Sequence, residues 1–232
     1  MMIKGYSPKT GAMLAIDKPV DWTSFDVVNK IRRITGIKKV GHAGTLDPFA
    51  TGVLVICLGP ATKQSGELMN LPKEYIAEIE LGRETDTMDV TGKTILEKEV
   101  PELTQSSIEA TFEALTGEVE QEVPAYSAAK IKGKRMYKLA REGKEMPQVF
   151  KKVTIEAIDL LDFSEKTIRI RVLCGRGTYI RTLGRDIARA LNTAGFLKTL
   201  VRTRVGDFLI ENAQSIEEFQ EQLAKSTEIV SD

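Results

Sequence analysis

Asp47 and His42, the only histidine of the chain, share the glycine-bearing segment Gly41-His-Ala-Gly-Thr-Leu-Asp-Pro48. Pro48 pushes the residue before it toward an extended backbone, and Gly41 and Gly44 permit a sharp turn behind it, so the spacing points a carboxylate outward from a loop. With an ordinary pKa of about 3.9, an aspartate is ionised near neutrality and can act as a nucleophile without a base to activate it. The structural alternative is an Asx turn or a cap at a loop end. His42 in the same loop is a candidate to touch whatever Asp47 acts on.

A second constellation is Cys174-Gly-Arg-Gly-Thr-Tyr-Ile-Arg181, which joins a strand to a helix and sets Arg181 in the first helical turn. A helix N-terminus already carries about half a positive charge, so a cation there calls for an anion nearby. Arg185 and Arg189 follow on the same face, where like charges oppose one another. The stripe therefore predicts that Arg181 pairs with Asp47 and that Arg185 or Arg189 meets phosphate; the alternative is a solvated stripe relieved by Asp186. Tyr75 opens an alternating segment and offers a ring face to a base or a hydroxyl to a proton, unless it is simply core. Asp86 and Asp89 would suit Mg²⁺ by type, but two carboxylates in a turn are expected as caps, and no metal site is expected. Tyr126-Ser-Ala-Ala-Lys130 opens a basic stretch in which Lys130 suits RNA contact.

These residues need rigid neighbours, and the pattern supplies them. Residues 13–17 read as a short buried strand stopped by Pro19, and a helix follows with Ser24 as its N-cap, apolar Phe25, Val28, Ile31 and Ile34, and Gly36 as its left-handed C-cap. Residues 53–58 form an unbroken apolar run, a strand covered on both faces, so the His42/Asp47 loop hangs between two fixed elements. Residues 74–81 alternate, with Tyr75, Ala77, Ile79 and Leu81 on one side, and 94–99 is expected to pair with them. Helices are expected over 107–115, 178–191 and 216–223, and a hairpin over 153–162 and 166–173 turning at Ser164. Strands follow strands without a βαβ rhythm. The fold class is therefore α+β, a mixed, largely antiparallel extended sheet flanked by helices and loops.

At 232 residues the chain can bury a sizeable core unaided, and one large domain over residues 1–212 with a short helical tail at 213–232 is expected. Cys57 and Cys174 are isolated, which suggests a reducing compartment, the cytoplasm, and no zinc. No apolar run approaches the roughly 20 residues that span a bilayer, and the first 14 residues lack a signal-peptide stretch. Net charge is zero, yet residues 74–122 hold 14 acidic and 3 basic side chains, 126–152 hold 2 and 9, and 166–204 hold 1 and 10. Such polarity predicts a footprint for a polyanion with the acidic half facing away; ordinary solvated faces are the alternative.

Five blocks, DKPVDWTS (17–24), GHAGTLDPFATGVL (41–54), TDTMDVTG (85–92), YSAAK (126–130) and GRGTYIRTL (175–183), together closely resemble the TruB family of tRNA pseudouridine-55 synthases. The likeness runs from about Met13 to Phe208. It implies a pseudouridine synthase-like catalytic domain that isomerises uridine 55 in the T-arm of tRNA by base flipping, with Asp47 as the catalytic aspartate and no cofactor or metal. It also implies that Tyr75 stacks on the target base, that Arg181 forms an ion pair with Asp47, that His42 lies against the flipped nucleotide, and that Lys18, Pro19 and Leu200 support the pocket, with Tyr179 and Arg185 among the RNA contacts. The expected partner is the tRNA elbow, with no membrane and no obligate protein partner, for a monomer. Two departures stand out. Asp21 occupies a position where the family usually has glycine, and the chain ends 25 residues after Asp207, where most members continue into a PUA-like domain, so weaker tRNA affinity is expected.

The chemistry suits a lone carboxylate, because hydrolytic glycosidases generally need two. Asp47 could attack C1′, add to C6 of the ring, or assist elimination through the C2′ proton. Two rival functions remain at this level: a non-catalytic module that binds and refolds the tRNA elbow, and a metal-dependent phosphohydrolase built on Asp86 and Asp89.

Overall fold

The computed structural model describes residues 6–127, 130, 131, 134–136 and 148–228, with the side chains of 130, 131, 134, 135 and 226–228 outside that description. In chain order the strands are β1 (Ala12–Lys18), β2 (Val40–Ala43), β3 (Thr51–Leu58), β4 (Lys73–Leu81), β5 (Arg83–Thr85), β6 (Thr94–Glu97), β7 (Gly117–Glu122), β8 (Lys130–Ile131), β9 (Lys134–Arg135), β10 (Phe150–Phe163), β11 (Thr167–Cys174), β12 (Gly195–Val205) and β13 (Phe208–Leu209). The helices are α1 (Ser24–Thr35), α2 (Ser65–Leu68), α3 (Gln105–Ala114), α4 (Ile180–Ala190) and α5 (Ile216–Glu228). The chain divides into two compact units, one of residues 1–73 with 201–232 and the other of residues 74–200. The mixed α+β class expected from the sequence holds.

In the first unit β3 is the central strand. β1 runs antiparallel along one edge of it, from Ala12 opposite Leu58 to Lys18 opposite Gly52. The other edge is shared: antiparallel β2 pairs with Val55–Leu58, and the end of β12 lies parallel at Thr51 and Gly52. Both faces of β3 are covered, which is why its sequence is apolar throughout. Leu54, Ile56 and Leu58 meet Val27, Val28 and Ile31 of α1, and Val53, Val55 and Cys57 meet Ala43, Ala61, Leu68 and Val205.

Two details of α1 differ from expectation. Thr23, not Ser24, is the N-cap, in a reciprocal box with Asp26, and Phe25 is 60% exposed while Val27 takes its place in the core. Phe25 stands about 200° around the helix from Val27, on the side away from the core. Gly36 is the left-handed C-cap at φ 68°. In the C-terminal segment α5 buries Ile216, Phe219 and Leu223 in the same core as α1.

In the second unit the strand order is β12-β4-β11-β10-β7. β4 alternates as expected, burying Tyr75, Ala77, Ile79 and Leu81. The β10–β11 hairpin closes with Ser164 N–H on Thr167 O, and β7 runs antiparallel to β10. β6 pairs with β5 rather than with β4, because left-handed Gly82 turns the chain into a separate two-stranded ribbon. β12 has no clean alternation in its sequence, and of its polar residues Arg202 alone is buried.

Candidate active site

Asp47 follows β2 and starts a turn closed by Ala50 N–H on its carbonyl at 3.1 Å. Four groups fix that turn. Ser24, in the first turn of α1, accepts Leu46 N–H on its hydroxyl at 2.9 Å and lies 3.3 Å from Leu46 O. Arg202 sits at the gap on the β3 edge between β2 and β12, donating to Val53 O at 2.7 Å and Gly44 O at 3.1 Å from a guanidinium that is fully buried. The backbone N–H of Asp21 donates to Pro48 O at 2.8 Å. Lys18 donates to Pro48 O at 3.0 Å and to Pro19 O and Trp22 O at 2.7 Å each. Asp21 adopts φ 65°, in the left-handed region that favours glycine. Gly52 is required where it stands: at φ 99°, an added Cβ would lie 2.3 Å from Arg202 O.

Lys18 is the electrostatic neighbour of Asp47. Burial pushes its ammonium down to about 8, opposed by Asp21, Asp47 and Asp17 and reinforced by Arg202. Three carbonyls use three N–H donors, and a neutral amine has two. Activity is therefore expected to fall as pH rises through about 8, where an exposed lysine would still be charged; a kcat/KM profile that stays level from pH 7 to 9.5 would remove Lys18 from this role.

His42 lies on strand β2 opposite Ile56, not in the loop that the glycines suggested. The β3 edge captures the segment through Ala43, and the turn begins at left-handed Gly44. Burial, and then the Arg202 guanidinium, hold the imidazole pKa below its ordinary value, with the Gly44 backbone opposing, so His42 is neutral near pH 7.

The second unit carries the remaining candidates. Tyr179 is the N-cap of α4 without using its own side chain; the Gln121 amide caps instead, accepting Tyr179 N–H at 2.9 Å and donating to its carbonyl at 3.3 Å. The Lys151 ammonium sits 4.2 Å from the centroid of the Tyr179 ring. Arg181 stands in the first helical turn as expected, 3% exposed. It donates to Thr87 O at 2.8 Å and Tyr126 O at 2.9 Å and forms a 3.4 Å ion pair with Asp89. Asp89 in turn braces its own turn, accepting from the Thr87 hydroxyl and Thr91 N–H, and Asp86 accepts Lys93 N–H. Both carboxylates act as turn caps, and among the described residues no three His, Cys, Asp or Glu side chains converge as metal ligands.

The arginine stripe finds its anions within the chain. Arg185 is buried, at 2.6 Å from Glu122 and 2.8 Å from Asp186, and Arg189 lies 2.7 Å from Glu84. Within the chain, then, both arginines are held by carboxylates, Arg185 buried and Arg189 half exposed. Lys198 likewise pairs with Glu78. The acidic 74–122 segment thus supplies partners to the basic 166–204 segment rather than facing wholly away from it, because α4 and β12 fold back on β4, β5 and β7.

Tyr75 and Leu200 are buried in this unit, on β4 and β12. Lys130 lies on β8, with its side chain outside the described residues, as is most of the 126–152 basic block. Asp47, His42 and Lys18 belong to the first unit, and Tyr75, Tyr179, Arg181, Arg185 and Leu200 to the second. Sequence reasoning missed Ser24 as an anchor, Gln121 as a cap, Asp89 as the partner of Arg181, and Arg202. For Arg202 a signal was present: an arginine inside Leu200-Val201-Arg202, at a strand position where a charge must be buried or paired.

Residues 32–180 match the TruB family pseudouridylate synthase (N-terminal domain) pattern. A protein of Phocaeicola vulgatus named tRNA pseudouridine synthase B is 46% identical over 221 residues, covering 93% of this chain and 94% of that protein. One of the same name from Bacteroides thetaiotaomicron is 44% identical, covering 92% and 93%, and one from Hydrogenovibrio crunogenus is 42% identical, covering 94% and 72%. Among solved structures, an archaeal box H/ACA sRNP Nop10–Cbf5 complex aligns with TM-score 0.68 and 26% identity, over 94% of this chain and 55% of that one. A Cbf5–Nop10–Gar1 complex aligns with TM-score 0.72 and 26% identity, over 94% and 58%. This chain spans little more than half the length of either. With the family pattern over most of its length, and relatives that match it nearly end to end, the chain belongs to the TruB family of pseudouridylate synthases.

Proposed function

We propose that this enzyme isomerises uridine 55 in the T-arm of tRNA to pseudouridine, with Asp47 as the acting carboxylate on a flipped-out base. The observation that carries the reading is the Asp47 turn, which Ser24, Lys18 and Arg202 fix from three directions in a synthase whose relatives are named for tRNA. The reaction breaks the bond from N1 to C1′, turns the uracil while it stays bound, joins C5 to C1′ and releases the C5 proton. Attack at C1′, addition to C6 and elimination through C2′ all require Asp47 ionised and water excluded.

Arg181 pairs with Asp47 in this reading and keeps it ionised when the site closes. Tyr75 stacks on the extruded base, offsetting an unstacking cost of a few kcal/mol, and neutral His42 lies against the nucleotide. Lys18 and Leu200 support the pocket, and Tyr179 and Lys130 contact the RNA. The test is tritium release from tRNA transcripts labelled at C5 of uridine. One equivalent per tRNA is expected, and none when residue 55 is cytidine. Absence of release with the unaltered transcript would leave a binding module, and release that survives the cytidine change would move the target elsewhere.

A further inference from the structure

The outer face of α1 leads away from the Asp47 turn. Asp21 N–H on Pro48 O and the Ser24 hydroxyl on Leu46 tie the start of that face to the turn. Along it Trp22, Asp26, Asn29, Lys30 and Arg33, with Asp21, line a cavity of about 380 Å³. Recurrence at three- and four-residue steps puts these side chains on one stripe. Trp22 is half-buried, with part of its ring against the core of the first unit.

The charges on this face are distributed unlike those of the second unit. There, Arg185, Arg189 and Lys198 each hold a carboxylate. Lys30 and Arg33 make no ion pair and no hydrogen bond among the described residues. Asp26 shares their cavity, but one of its oxygens is committed to the helix cap, accepting Thr23 N–H at 2.9 Å and the Thr23 hydroxyl at 2.6 Å. Asp21 lies at the end nearest the turn. Beyond it, residues 27–46 hold Lys30, Arg32, Arg33, Lys38 and Lys39 and no acid. Arg32 is braced on Asn29 Oδ1 and Val40 O, which leaves the Asn29 amide N–H₂ as a donor toward the cavity.

An aromatic face, an amide donor and two cations that no carboxylate among the described residues holds in an ion pair, gathered in one groove, match the base and phosphate of a nucleotide. A single small molecule would not account for the cations that continue to Lys38 and Lys39, whereas a strand with a phosphate at every residue does. We propose that this face binds a nucleotide of the RNA substrate beside the reacting uridine, its base on Trp22 and its phosphate on Lys30 and Arg33. The proposal rests on the reading of the enzyme as acting on RNA.

Trp22 is the only tryptophan of the chain, so its emission reports the site without any need for turnover. Titration of the full chain with unmodified tRNA transcript is expected to quench that emission. Lys30→Ala with Arg33→Ala should weaken binding about tenfold and lower the slope of log affinity against log salt by about 1, the loss of roughly one phosphate contact. Lys30 is half-buried and Arg33 exposed, and neither belongs to the core, so circular dichroism is expected to show α1 intact. Emission unmoved by saturating tRNA, or a double variant with unchanged affinity and salt slope, would overturn the proposal. Because quenching and binding are read apart from tritium release, a chain that binds here but does not isomerise would fail the catalytic reading and not this one.

Discussion

Asp47→Asn is expected to lower tritium release by roughly four orders of magnitude or more while leaving tRNA affinity within about threefold. The asparagine keeps the shape of the side chain, and Ser24, Lys18 and Arg202 fix the turn through backbone groups that the substitution leaves in place. What disappears is the negative charge that every route through C1′, C6 or C2′ needs. Equal loss of binding and turnover would show instead that the residue supports the fold of the loop, and the nucleophile assignment would fall.

Arg181→Lys should lower turnover about 10²- to 10³-fold, comparable to removing a preorganised donor from other active sites. The guanidinium serves Thr87 O and the Asp89 carboxylate from Nη1 and Tyr126 O from Nη2. An ammonium keeps the charge but not the planar fork, so acceptors from two separate segments cannot all be met. Each buried acceptor left unmet costs about 1–3 kcal/mol, and a lower Tm should accompany the kinetic defect. Turnover near that of the parent would refute the role of Arg181 beside the reacting uridine.

The elements with strong period were legible in the sequence: β4 from its strict alternation, β3 from its apolar run, the β10–β11 hairpin from its turn, and the Gly36 cap. Arg181 in the first turn of α4 was legible for an electrostatic reason, a cation where the helix dipole disfavours one. Its partner in the second unit was not, because Asp89 looked like an ordinary turn residue 92 positions away. His42 was misplaced onto a loop because glycines flank it, whereas the ladder with β3 decides where the strand ends. The fate of the arginine stripe was hidden for a related reason: Glu84 and Glu122 reach Arg189 and Arg185 only through folding, and charge counts along a chain cannot see which blocks become neighbours. Arg202 was counted as surface charge although its environment is interior.

The burial of Ile216, Phe219 and Leu223 beneath α1 has a bearing on biosynthesis. A nascent polypeptide halted ahead of Ile216 holds Val27, Val28 and Ile31 against β3 but lacks the α5 side of that core, so α1, whose Ser24 grips Leu46, is less firmly held. The turn that carries Asp47 is thus fully braced, through α1, only once α5 has been made.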